Sequence, residues 1–267
     1  MNQSVYVDPL SSVSCRLELN CSGKILGPAS GALWKRSNRT YLISNWHVFS
    51  GRNTYTGQPL VEKSGALPDT ISLKIAMETI NGIEWFNLDL PLHDGLNSKW
   101  LQHPTKAQDI DVAALEIPNH LLGYNYQALG EKFQEHDIKV GVGDDIFIIG
   151  YPLGLQKQFG FPIWKQGTIA SEFDVPVDNL PLFLVDAATR NGMSGSPVYS
   201  RKKGSYQSLG GETVFVDGSA TRFLGIYSGR YGAEDELSAQ LGRVWHAKLV
   251  TEVLDGGKMG DYEIRKQ

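Results

Sequence analysis

The sequence predicts an all-β fold, and three observations carry that prediction. The 29 glycines and 12 prolines cut the chain of 267 residues into short segments, which suits many short strands better than long helices. Between those breaks, apolar residues alternate with polar ones or run together briefly, as in half-buried and fully buried strands. The length fits one large β domain or two smaller ones. A composition of 41% hydrophobic and 20% charged residues is that of an ordered globular chain.

Charge and composition exclude several classes. A net charge of −4 lacks the basic excess of a dedicated nucleic-acid surface. No apolar run is long enough to span a membrane. Met1-Asn-Gln-Ser-Val-Tyr-Val has no basic segment followed by an apolar core, so no secretion signal is read and a cytoplasmic location is expected. Cys15 and Cys21 are the only cysteines, fewer than most secreted β proteins of this size carry. Two buried thiols are expected rather than a hairpin disulfide.

In chain order, Val13 to Leu19 alternates, Asn20 to Lys24 forms a turn, and Ser30-Gly-Ala-Leu-Trp34 is followed by a polar turn from Lys35 to Arg39. Thr40 to Ser44 then runs into Asn45-Trp-His-Val-Phe-Ser-Gly51, placing His47 at a strand exit, where loops tend to carry chemistry. Strands are expected at Ile71 to Met77 and Glu84 to Leu90, with His93 and His103 as solvated loop residues. Asp111 opens the apolar strand Val112-Ala-Ala-Leu115. A carboxylate at such a mouth must be paired or hydrogen-bonded; Asp109, on the same side of an extended chain, is its competitor.

Residues 119 to 140 read as a connector between two β halves, 1–125 and 126–267, with a short helix around Gly130 to His136. Val140 to Gly154 is a β run between glycine turns. Gly141 and Gly143 begin a G-x-G-x-x-G pattern, but Ile146 replaces its last glycine and no helix follows. Further strands are expected at Trp164 to Ala170, Leu182 to Val185, Val214 to Asp217 and Phe223 to Ser228. Apolar residues at helical spacing ahead of Gly256-Gly257 predict a C-terminal helix over 243–255, with His246 a structural member. Repeats, phosphate loops and metal-ligand spacings are absent, so no cofactor or metal is expected.

The stretch Asp186-Ala-Ala-Thr-Arg-Asn-Gly-Met-Ser-Gly-Ser-Pro-Val198 holds a serine between two glycines. Glycine there permits strained backbone and close approach to a ligand. The amides of Gly192 and Ser194 could converge on one oxygen, the geometry an oxyanion hole needs. A serine hydroxyl also needs an oriented base to become a nucleophile.

Histidine, aspartate and serine thus occur in that order, each at a strand end, in a chain with two β halves. This pattern resembles the trypsin-like (chymotrypsin-fold) serine proteases. Leu42-Ile-Ser-Asn-Trp-His-Val is similar to the family's histidine motif, Asp111-Val-Ala-Ala-Leu to its aspartate motif, and Asp186 to Pro197 to its serine motif. The serine motif is closest to bacterial high-temperature-requirement proteases and glutamyl endopeptidases. Ile149-Gly-Tyr-Pro-Leu-Gly and Gly167-Thr-Ile-Ala-Ser resemble segments of that same branch. The resemblance spans roughly residues 13 to 255 by motif order.

It implies two six-stranded antiparallel β-barrels with a C-terminal helix, and an intracellular endopeptidase acting on protein or peptide substrates. Ser194 would be the nucleophile, His47 the general base, Asp111 the group fixing the imidazole tautomer, and the Gly192 and Ser194 amides the oxyanion hole. Ser228 matches the position whose hydroxyl supports the aspartate. No peptide-binding module is expected after the protease region.

Two departures matter. Met193 stands where many relatives carry Asp or Asn, so it cannot make the ion pair with a new N-terminus that shapes the loop in digestive enzymes. The loop is then either constitutively formed or shaped by an activating partner. Ala188 stands where selectivity for Lys or Arg requires a carboxylate, so cleavage after basic residues is not expected. Thr189, Tyr227 and Arg230 complete the pocket by motif position. Thr189 with an inward Arg230 would favour an acidic residue; with Arg230 in solvent, the pocket takes small or medium neutral residues, the expected outcome.

Two other readings compete. One is a protease-fold binding module whose loop never forms. The other is an esterase, opposed by Ser196 at the last position of a G-x-S-x-G elbow and by the missing βαβ alternation.

Overall fold

A computed structural model describes residues 6–80, 82–123, 125–130, 135–155, 158–231 and 241–261. The first half carries α1 (Pro9–Val13), β1 (Ser14–Cys21), β2 (Lys24–Arg36), β3 (Arg39–Ser44), α2 (Trp46–Ser50), β4 (Thr70–Thr79) and β5 (Gly82–Pro91). Short strands β6 (His93–Asp94), β7 (Asn97–Ser98) and β8 (Trp100–Gln102) lead to β9 (Ala113–Ile117). After β10 (Leu129–Gly130), the second half runs β11 (Asp145–Gly150), β12 (Ile163–Ile169), β13 (Leu182–Asp186), β14 (Pro197–Gln207), β15 (Thr213–Arg230), β16 (Leu241–His246), α3 (Lys248–Gly256) and β17 (Lys258–Met259).

The strands of the first half follow the path β17-β8-β9-β3-β2-β1-β4-β5, with β10 added in parallel to β2. The second half closes into a barrel, β11-β12-β13-β16-β15-β14. Sequence-distant strands therefore complete the first sheet: β17, from the C-terminal end, pairs with β8.

Alternation explains the cores. Along β4, Ile71, Leu73, Ile75 and Met77 turn inward against Leu17, Leu33, Leu42, Phe49 and Trp100. The barrel interior collects Ile146, Ile148, Phe183, Val185, Val198, Leu224 and Val244. A third cluster joins the halves, with Ile43 and Val112 from the first packed with Ile149, Tyr199, Ile226 and Trp245 from the second and Val250 of α3. Each fully buried aliphatic side chain there contributes about 1.5–3 kcal/mol, so the shared cluster ties the two halves together.

Several expectations change. Arg243 to His246 is not helical: β16 pairs with β13 (Phe183 with Val244) and with β15 (Tyr227 with Val244). A segment between two strands must satisfy its N–H and C=O groups through both, and that outweighs helical spacing. The C-terminal helix is therefore Lys248–Gly256, burying Leu249, Val250 and Val253. The two strands expected within 214–228 are one, β15, kept continuous by pairing along β14. The helix expected around Gly130 to His136 lies largely outside the described residues.

His103 is buried rather than solvated. Its Nδ1 accepts the amides of Thr105 and Lys106, and its Nε2 meets a carboxylate oxygen of Glu252 on α3 at 3.0 Å. His93 lies half-buried in β6, and burial pushes its pKa down. His246 ends β16 with its ring against Phe173 and Phe183. Both cysteines are free; Cys15 is buried, its thiol pushed up to about 12 by desolvation, whereas Cys21 is only half-buried.

Candidate active site

Asp111 lies just ahead of β9 and is 4% exposed. A carboxylate so deep needs hydrogen bonds, and α2 supplies them. Asp111 Oδ1 accepts the main-chain N–H of His47 at 2.9 Å, and Oδ2 pairs with His47 Nδ1 at 2.8 Å. Asn45 reinforces the arrangement. It stands extended at the start of α2 without capping it, and its Nδ2 donates instead to the main-chain oxygen of Asp111 at 2.7 Å. Gly51 stops the helix one turn later in the left-handed region, φ 67°. With Nδ1 spent on the carboxylate, Nε2 is the imidazole nitrogen left for a further partner. Asp109 is exposed in the preceding turn.

Ser194 sits in the turn between β13 and β14. Gly192 and Gly195 flank it at φ 92° and 86°, in the region that favours glycine. A Cβ on Gly192 would lie 2.5 Å from the Tyr151 carbonyl, and one on Gly195 would lie 2.0 Å from the Ser30 carbonyl. The loop's peptides are tied one by one. Leu153 N–H donates to Asn191 O (2.6 Å), Met193 N–H to Arg190 O (3.2 Å), Ser196 N–H to Met193 O (3.0 Å) and Gly195 N–H to Tyr227 O (2.8 Å). Ser30 of β2 reaches across from the other half, its N–H donating to Ser194 O (2.8 Å) and its hydroxyl to Gly192 O (2.7 Å). Among the described residues, the N–H groups of Gly192 and Ser194 and the hydroxyl of Ser194 make no hydrogen bond.

The histidine and serine elements meet at Ser30. Ser44, three residues before His47, donates its hydroxyl to Ser30 O at 2.8 Å. One fully buried residue thus touches both the strand leading to His47 and the loop carrying Ser194.

Met193 is completely buried in the barrel interior with Ile146, Val185 and Val198. The burial of such a side chain contributes about 1.5–3 kcal/mol, and it anchors the loop where an ion pair would otherwise do so.

Around this loop, Ala188 is exposed and offers no charge. Thr189 and Tyr227 are 3% and 1% exposed and join hydroxyl to hydroxyl. The Tyr227 ring lies against Gly242, where a Cβ would come within 2.5 Å of it. Burial raises the Tyr227 pKa, while Thr189 and the nearby charges of Arg230 and Arg243 oppose the rise. Arg230 is half-buried, opposite Gly242 in the β15–β16 pairing. The hydroxyl of Ser228 accepts from Trp245 Nε1 at 3.0 Å. Its expected contact with Asp111 is not among the hydrogen bonds of the described residues; the contacts on Asp111 come from His47 and Asn45.

Sequence reasoning missed Ser30, Ser44 and Asn45. One cue was available: a polar side chain inside an apolar strand has to find a partner.

No curated protein matches this sequence. The trypsin-like peptidase domain profile matches residues 29–206. Among solved structures, the serine endoprotease from Yersinia pestis superposes with a TM-score of 0.51 at 15% identity, over 95% of this chain and 70% of that one. An inactive, serine-to-alanine form of Rv3671c from M. tuberculosis H37Rv has a TM-score of 0.45 at 16% identity, covering 92% and 86%. The first likeness supports the chymotrypsin-like double-barrel fold, and the domain match extends over more than half of the chain. The chain therefore belongs to the trypsin-like peptidase domain family.

Proposed function

We propose that the protein hydrolyses peptide bonds through an acyl-enzyme, with Ser194 as nucleophile, His47 as base and then acid, and Asp111 holding the imidazole. The observation that carries this reading is the two-point grip of Asp111 on His47, at 2.9 and 2.8 Å. It fixes the tautomer with the proton on Nδ1, so Nε2 is free to take the serine proton and return it to the leaving amine. The acid and base belong to the 1–125 half and the nucleophile to the 126–267 half, so the reaction would take place in the cleft between them.

The Gly192 and Ser194 amides would bind the oxyanion. Their lack of other hydrogen bonds among the described residues and the ties on the peptides around them support a loop formed without an activating partner. Substrates would be proteins or peptides with a small neutral residue on the acyl side of the cleaved bond. Ala188 supplies no counter-charge for Lys or Arg, and the Tyr227 ring lies against Gly242 with its hydroxyl joined to Thr189.

A fluorophosphonate probe tests the chemistry, because it labels only an activated serine. Purified protein alone should be labelled, with labelling lost in Ser194→Ala and His47→Ala. The second reading, a silent protease-fold binding module, rests on the absence of a hydrogen bond on Ser194 Oγ among the described residues. Catalytic hydrogen bonds often tighten only when substrate binds; absence of labelling under all conditions would favour the binder. Mass-spectrometric profiling of a cleaved peptide library then reads the pocket, and a dominant preference for Lys, Arg or large aromatic residues would refute the small-residue assignment.

A further inference from the structure

We infer that Ser30 is a positioning residue that holds the oxyanion-binding loop in its working shape, an inference that rests on the peptidase reading above. The two candidate donors belong to different peptide units: the Gly192 N–H to the 191–192 unit and the Ser194 N–H to the 193–194 unit. The 192–193 unit between them sets their relative direction. It is the pivot of the site.

That pivot is held at both ends. Its N–H, from Met193, donates to Arg190 O at 3.2 Å, and its carbonyl, on Gly192, accepts the Ser30 hydroxyl at 2.7 Å. Gly192 has φ 92°. Glycine enters left- and right-handed regions with similar ease, so its own backbone offers little resistance to rotation of this unit. The resistance comes from its partners. The hydroxyl is itself oriented, because Ser30 Oγ accepts the Tyr151 N–H at 2.9 Å, leaving its single proton for Gly192. Tyr151 is followed closely by Leu153, whose N–H holds Asn191 O at 2.6 Å. Ser30 also fixes the far side of Ser194 through its main chain, at 2.8 Å. Ser30 and Gly192 are themselves buried, Ser30 at 0% exposure, where a carbonyl deprived of its donor is driven to seek another. If the Gly192 carbonyl turned away from Ser30, the Gly192 and Ser194 N–H groups would change direction relative to each other.

The sequence separation of 162 residues in the Ser30–Gly192 bond gives this contact a further meaning. The first half, which carries the acid and base, dictates the geometry of the oxyanion loop on the second.

The test compares wild type, Ser30→Ala and Ser30→Thr, each shown by a cooperative melt to be folded. Removing one oxyanion donor outright typically costs 10²–10³ in turnover, so misaligning the pair through Ser30→Ala should lower kcat by roughly tenfold to a hundredfold. KM should stay within about twofold, since the loss falls on the transition state. The pH–rate profile should keep its position, because the His47–Asp111 pair is untouched. Binding of a peptide aldehyde, whose adduct places an oxyanion in the hole, should weaken by the same factor as kcat. Ser30→Thr, retaining the hydroxyl, should recover most of the loss.

A folded Ser30→Ala enzyme with wild-type kcat overturns the assignment. So does a loss carried by KM, a displaced pH profile, or a folded Ser30→Thr no better than alanine. Should Ser30→Ala not fold, Ser30→Cys, a weaker donor of nearly the same shape, replaces it: reduced kcat at unchanged KM supports the role, and wild-type kcat overturns it. Failure of the peptidase reading itself looks different, since wild type would then be neither labelled by fluorophosphonate nor active on any peptide.

Discussion

Asp111 acts on His47 twice, through the ring and through the main chain, and the two contacts make separable demands. The main-chain bond at 2.9 Å fixes where α2 begins, while the ring bond at 2.8 Å fixes the tautomer. Asp111→Asn would retain the shape but present an amide to Nδ1, favouring the wrong tautomer. Turnover should fall by about 10⁴ with the melting temperature little changed, read by steady-state kinetics beside a thermal melt. An equal loss of stability would reassign Asp111 to folding. Met193 poses the complementary case, a residue next to Ser194 whose side chain belongs to the barrel core. Met193→Leu should cost less than about 1.5 kcal/mol in urea denaturation and leave most activity. Met193→Asp would bury an unpaired charge and should cost about 3–5 kcal/mol.

At the scale of elements, β16 both closes the barrel and sets the His246 ring against the contacting pair Phe173 and Phe183. Burial there, with help from the charge of Lys248, pushes the His246 pKa below its ordinary value, partly offset by Asp174. In the unfolded chain the imidazole protonates near its ordinary value of about 6.5. Between the two values the unfolded state holds more protons, so stability is fully present above about 6.5 and drains away as pH falls towards the folded value. His93, also lowered by burial, acts with the same sign. A His246→Phe variant should therefore show a shallower decline of melting temperature between about pH 7 and 5 than wild type. A steeper decline, or an unchanged one, would show that the ring's burial does not govern acid sensitivity.

At the scale of the molecule, the C-terminal segment works as a strap on the first half. β17 pairs with β8, Gly260 N–H donates to Trp100 O at 2.9 Å, and Asp261 accepts from Gln102 Nε2 at 3.3 Å. Gln102 in turn accepts the indole N–H of Trp46, the neighbour of His47, at 2.8 Å. Ending the chain after Gly257 removes these contacts and uncovers Trp100, which is otherwise fully buried. The melting temperature should drop by several degrees, since each kcal/mol is worth roughly 2–4 °C at this size. Tryptophan emission should shift to the red. Unchanged melting would show that the strap is decorative.

Much of this protein was legible in order along the chain. Strand alternation located β1 to β5 and β11 to β13, because a side chain's face follows from its own position and its immediate neighbours. The same locality let the histidine, aspartate and serine motifs stand out, since each combines a reactive group with its own strand end or turn. What the sequence left open depended on partners far away in the chain. Arg243 to His246 carries apolar residues at helical spacing, yet strands on both sides claim its backbone. His103 reads as polar loop until Glu252, 149 residues later, reaches it. Ser30 reads as an ordinary strand residue until Gly192 arrives. Composition and periodicity by themselves determined the all-β class, while the candidate residues for chemistry came from three motifs and the family they resemble. Only the tertiary structure decided which hydrogen bonds those residues make, because a buried polar group's partner is set by packing across the fold rather than by its neighbours in sequence.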